Sequence, residues 1–148
     1  MNTIRFVPSR VHGIFDYIGG IALIACPFIF GFYSMGGIAV ILPIVLGIGL
    51  ILYSLLTDYE RGIPGLRFIP MPVHLILDFV AAVFLIVAPF LFGFANQGLN
   101  VWLPFVVAGV CVILLVLVSQ TYAQYKAKAN EKAVGTSVVG SGWDGHKR

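Results

Sequence analysis

Charge is scarce in this chain. Nine Lys and Arg and six Asp and Glu are spread over 148 residues, 10% of the total, while 59% are hydrophobic. That balance excludes a compact soluble domain, which needs far more polar surface to cover its core. Cysteine is nearly absent too: Cys26 and Cys111 stand in no CxxC or other ligand spacing, which removes support for a thiol redox motif or a cysteine metal site. Both are read as small buried hydrophobes at different depths, with no disulfide between them. No Gly-rich phosphate loop, nucleophile elbow or HExxH motif occurs, so the chain is expected to be no enzyme.

What the chain has in abundance is long apolar runs, and its mean hydropathy is +1.00. Four of them, Val11–Tyr33, Gly37–Thr57, Val73–Ala95 and Val101–Tyr122, are long enough as helices to cross a hydrocarbon core of about 30 Å. They are apolar on every face, whereas barrel strands would alternate polar and apolar residues in segments of about ten. The expected fold class is therefore an all-α membrane protein with four transmembrane helices. The first run follows Arg5 and Arg10, as a signal peptide would. It is longer than a typical signal core, lacks a clear small-residue cleavage site and has a near copy in mid-chain, so it is read as retained.

The basic residues set an expected orientation. All nine fall at the N-terminus (Arg5, Arg10), in the middle connection (Arg61, Arg67) or in the C-terminal tail (Lys126, Lys128, Lys132, Lys147, Arg148). The connections around Tyr33–Gly36 and Ala95–Asn100 carry none. By the positive-inside rule both termini and the 58–72 loop are cytoplasmic and the two short hairpins face out. The net charge of +3 thus reflects topology, and no nucleic-acid partner is expected. The expected partner is the lipid bilayer, with a second copy or another membrane protein as the further candidate.

The chain also repeats itself. Residues 5–32, RFVPSRVHGIFDYIGGIALIACPFIFGF, return without a gap as residues 67–94, RFIPMPVHLILDFVAAVFLIVAPFLFGF, with fourteen of 28 positions identical. The expected organisation is two tandem helical hairpins, residues 1–62 (helices 11–33 and 37–57) and 63–125 (helices 73–95 and 101–122). A polar, Gly- and Ser-rich tail, 126–148, is read as disordered and cytoplasmic. Each unit crosses the membrane twice, so the copies should be related by an axis along the membrane normal. Pro8 and Pro70 suit helix starts, where a missing N–H costs nothing. Gly47 and Gly109, one repeat apart, suit close contact between helices.

Inside the four apolar runs, Asp16 and Asp78 are the only formal charges, each four residues after a histidine. His12, Asp16, Gly19, Leu23, Pro27 and Phe30 fall on one helical stripe, as do His74, Asp78, Ala81, Leu85, Pro89 and Phe92. An ionisable group facing lipid is costly, so these stripes should face the bundle interior. The candidate site is therefore His12, Asp16, His74 and Asp78, with Pro27 and Pro89 as expected helix kinks. The leading reading is that the polar pairs lock the repeats together by interhelical hydrogen bonds. The alternative is proton or small-ion conduction, which uses intramembrane carboxylates and imidazoles in this way. A metal- or haem-binding protein is the third reading. The four side chains are acceptable ligands, but their spacing matches no specific signature, so no metal and no cofactor is assigned.

The twice-used VHxxxD, followed by a small-residue step and Leu-Ile-x-x-Pro-Phe-x-Phe-Gly-Phe, resembles the SPW-repeat family of small bacterial integral membrane proteins. The Ser-Pro-Trp tripeptide of that family falls at Cys26-Pro27-Phe28 and Ala88-Pro89-Phe90, where proline stays and serine and tryptophan are replaced. The resemblance covers about residues 5–122. It implies a paired-repeat, multi-pass domain in a bacterial cytoplasmic membrane and brings no activity with it. The function expected is that of a small, non-enzymatic membrane scaffold or accessory subunit.

Overall fold

The protein is seen in a computed structural model that describes residues 6–59 and 68–120, together with Ala127 and Asn130. Arg5, Arg61, Arg67 and nearly all of the 126–148 tail lie outside the described residues. Among the described residues there are four long helices: α1 (Ser9–Ile29), α2 (Gly37–Leu55), α3 (Met71–Leu91) and α4 (Leu99–Val118). At 1.5 Å per residue each is about 30 Å long, which matches a bilayer core. All four qualify as membrane spans by length and composition. Their outer faces are apolar and open, with Ile18, Ile21, Leu52, Val80 and Leu114 all more than half exposed, as lipid contact requires.

Each repeat folds as a hairpin, α1 on α2 and α3 on α4. The helices of a hairpin approach closely at glycine. A Cβ on Gly47 would stand 2.5 Å from the carbonyl oxygen of Gly20, and one on Gly109 would stand 2.6 Å from that of Ala82. These are the same crossing one repeat apart, and a larger residue would push backbone against backbone.

The helix exits explain the Phe-Gly-Phe ends. Gly31 and Gly93 both sit at φ 72°, in the left-handed region that glycine enters without strain. After Gly31 the Phe32 amide donates back to the Pro27 carbonyl at 2.9 Å, and after Gly93 the Ala95 amide donates to the Pro89 carbonyl at 3.0 Å. The reversal turns Phe32 and Phe94 inward, where they are 0% and 1% exposed. With Leu23, Cys26, Leu42, Leu85, Ala88, Val101 and Phe105 they fill the core toward this end of the bundle. The exits also shorten the helices: α1 ends at Ile29 and α3 at Leu91, short of the expected 33 and 95.

The opposite end is closed by short strand pairings. β1 (Thr57–Asp58) runs parallel to β2 (Ile69–Pro70), with Thr57 opposite Ile69. Val7 pairs in the same sense with Ser119, the positions one repeat away with the halves exchanged. The backbone bonds repeat as well. Ile69 donates to the Leu56 carbonyl at 2.9 Å and Val7 to the Val118 carbonyl at 3.0 Å. α4 therefore ends at Val118, four residues short of the expected 122, because Ser119 turns extended to pair with Val7. Pro8 and Pro70 cap α1 and α3 from the residue before the first helical one.

Candidate functional site

His12 lies on the first full turn of α1 and Asp16 on the next, and α3 repeats the arrangement with His74 and Asp78. The structure brings all four together. His12 and His74 are 0% exposed, Asp16 4% and Asp78 2%. The rings meet edge to face with centroids 5.4 Å apart. His12 Nε2 lies 2.9 Å from Asp78 Oδ2 and 3.3 Å from Asp16 Oδ1. His74 Nε2 lies 3.1 Å from Asp16 Oδ2 and 3.1 Å from Asp78 Oδ2. The within-helix pairs expected from four-residue spacing are present, but each imidazole is shared with the carboxylate of the other repeat.

Four further side chains complete the centre. Tyr53, near the end of α2, donates its hydroxyl to Asp78 Oδ1. Tyr59, just beyond β1, donates to Asp16 Oδ2 at 2.7 Å and lies 3.2 Å from His74 Nε2. Burial, and then the charge of Asp16, push the Tyr59 phenol above its ordinary range, so it stays a donor. Thr57 Oγ1 is 2.8 Å from His74 Nδ1, and Ser119 Oγ is 2.6 Å from His12 Nδ1. Here too the partner comes from the opposite repeat.

The two hydroxyls point to Nδ1 as the ring nitrogen that carries hydrogen. Thr57 donates its own hydrogen to the Tyr53 carbonyl at 2.8 Å, and Ser119 donates to the Leu115 carbonyl at 2.6 Å. Each oxygen is left as an acceptor, so each imidazole donates from Nδ1. Both Nε2 atoms are thereby turned toward the carboxylates. A bare Nε2 lone pair against a carboxylate oxygen is repulsive, so each Nε2 needs a hydrogen or a cation there.

Sequence reasoning missed Tyr53, Thr57, Tyr59 and Ser119. Thr57 and Ser119 are one repeat apart, and carrying the 62-residue offset to the ends of the second helices would have matched them. The tyrosines leave no such signal, because their equivalents are Leu115 and Thr121.

The expected stripes need two corrections, and one cysteine needs a third. Gly20 and Ala82 are buried where Gly19 and Ala81 were expected, because the hairpin partner crosses at the neighbouring position. Phe30 and Phe92 are 47% and 43% exposed, since the turn at the following glycine sends the next phenylalanine inward instead. Cys111 is exposed on α4, whereas Cys26 is buried; both are free thiols. Pro27 and Pro89 are buried in the last turn of their helices and so serve the exits described above. Away from the quartet, a groove of about 1100 Å³ between α1 and α4 is lined by apolar side chains such as Phe15, Leu103 and Val107. None of the four His and Asp residues lines it.

Residues 10–119 match the family model for the SPW repeat domain. The chain belongs to the SPW repeat family. No curated protein and no solved structure matches it. Within an SPW repeat protein, the tripeptide positions Cys26-Pro27-Phe28 and Ala88-Pro89-Phe90 fall at the helix exits, at the far end of the helices from the quartet. The retained proline is the residue whose carbonyl accepts the reversing amide.

Proposed function

We propose that this SPW repeat protein is a non-enzymatic scaffold or accessory subunit of a bacterial cytoplasmic membrane, with a buried quartet that clamps its two hairpins. The observation that carries this reading is the crosswise pairing: His12 binds Asp78 and Ser119, and His74 binds Asp16 and Thr57. Every one of these bonds joins one repeat to the other. Interhelical hydrogen bonds join close packing in holding helices together where lipid is as apolar as the side chains.

The core beyond the quartet bears on the rival, conduction. Among the described residues every buried polar side chain lies at the quartet's end, and the core beyond it is built from Leu23, Cys26, Leu42, Leu85, Ala88, Phe94 and Phe105. Proton relays across a membrane use chains of ionisable groups. The accessory role further implies a partner within the membrane, a second copy or another protein, and the basic residues at both ends of the chain support cytoplasmic termini.

Two measurements test this reading. Thermal melting in detergent should show Asp16→Asn/Asp78→Asn clearly less stable than wild type, and equal melting would remove the clamp. In liposomes with a pH-sensitive dye, wild type should pass no more protons than empty vesicles. Flux that disappears in the same variant would replace the clamp with conduction.

A further inference from the structure

We propose that His12, Asp16, His74 and Asp78 form a binding site for one divalent transition-metal ion. The inference goes beyond the clamp by naming a ligand for the same residues, and it stands on three observations. First, one donor atom from each of the four lies within 4.8 Å of the other three. A tetrahedral ion with bonds of about 2.0–2.2 Å separates its ligands by about 3.3–3.6 Å, so the widest pair closes by about 1.2–1.5 Å around the ion, within the reach of side-chain rotation. Second, each Nδ1 is held by a hydroxyl oxygen, Ser119 at 2.6 Å for His12 and Thr57 at 2.8 Å for His74. This is how metal-binding histidines are held, with the other nitrogen turned to the ion.

Third, both Nε2 atoms and both carboxylates face one another at close range, with four Nε2–carboxylate distances of 2.9, 3.3, 3.1 and 3.1 Å. A single divalent cation satisfies all four donor atoms at once. Its charge balances two carboxylates with both imidazoles neutral, the same balance two protons would give. Tyr53 donates to Asp78 Oδ1 and Tyr59 to Asp16 Oδ2, which leaves Asp78 Oδ2 and Asp16 Oδ1 for the ion. Two imidazoles and two carboxylates suit Zn²⁺, Fe²⁺, Co²⁺ or Mn²⁺ better than Mg²⁺ or Ca²⁺, which prefer all-oxygen shells. Four protein ligands leave no open position, so the site fits a structural or carried ion.

The test uses the full chain, purified in detergent and stripped with a chelator, then titrated with Co²⁺ alone. The expected result is one Co²⁺ per chain with the intense visible band of a tetrahedral N/O site, bleached by Zn²⁺. His146→Ala, which changes the remaining histidine, should behave as wild type. Asp16→Asn/Asp78→Asn should lose the band. Asp78→Glu keeps the charge but moves the oxygen by one methylene, and it should shift the band and weaken binding at least about tenfold. Substoichiometric uptake by cooperatively melting wild type, a weak octahedral-type band, or an unchanged band in Asp78→Glu would each overturn the proposal. Melting in chelator tests the clamp separately, so failure of metal binding leaves that reading intact.

Discussion

His12 and Asp78 are 66 residues apart in the chain and 2.9 Å apart in space, closer than His12 is to Asp16 on its own helix at 3.3 Å. The stabilising partner of each histidine is thus expected across the repeat boundary. Truncating one member of a buried pair leaves the other uncompensated, at a cost of about 3–5 kcal/mol. A double-mutant cycle on His12→Ala and Asp78→Ala, followed by detergent unfolding, should show that the second change costs much less once the first is made. The cycle for His12 and Asp16 should show smaller coupling. Coupling confined to the within-helix pair would contradict the crosswise geometry.

Much of this arrangement was legible in the sequence. Four apolar runs, a gapless repeat and two His-x-x-x-Asp pairs gave the helices and the four central residues, because bilayer length and the cost of intramembrane charge act on every residue in the run. The crosswise pairing was not legible, since four-residue spacing shows only what shares a helix face. Tyr53 and Tyr59 were hidden for a different reason. They break the repeat, standing where the second copy has Leu115 and Thr121, so no internal comparison marks them. Phe32 was hidden by Gly31, whose φ of 72° swings the chain inward after the helical pattern has ended.

Glycine at the hairpin crossing gives a second prediction. A Cβ at Gly47 would meet backbone oxygen at 2.5 Å, whereas one at Gly49, two residues on, meets nothing within 4 Å. Gly47→Ala should therefore destabilise by about 1–3 kcal/mol, as overpacking does. Gly49→Ala should be neutral or slightly stabilising, because alanine is the better helix former. Equal effects in detergent unfolding would mean that the helices do not cross at Gly47.

Orientation can be checked by labelling. The positive-inside rule places the turn at Asn96 outside and the tail at Ser141 inside. In a chain with Cys26 and Cys111 replaced, an impermeant thiol reagent applied to intact cells should label Asn96→Cys and leave Ser141→Cys unlabelled until the membrane is opened. The reverse pattern would invert the topology and put the quartet near the outer face.

The hydroxyls at Thr57 and Ser119 give the last prediction, and it tests the tautomer directly. Each accepts from an imidazole Nδ1 while donating to the carbonyl four residues back, Tyr53 or Leu115. Thr57→Val keeps the shape but leaves the Nδ1–H of His74 buried without an acceptor, which should cost about 1–3 kcal/mol. Thr57→Ser keeps the oxygen and should recover most of that loss. Nitrogen-15 spectra of histidine-labelled protein should show hydrogen on Nδ1 of both buried rings. A bare Nδ1 on either ring would mean that its hydroxyl donates instead, which would remove the constraint that turns both Nε2 atoms toward the carboxylates.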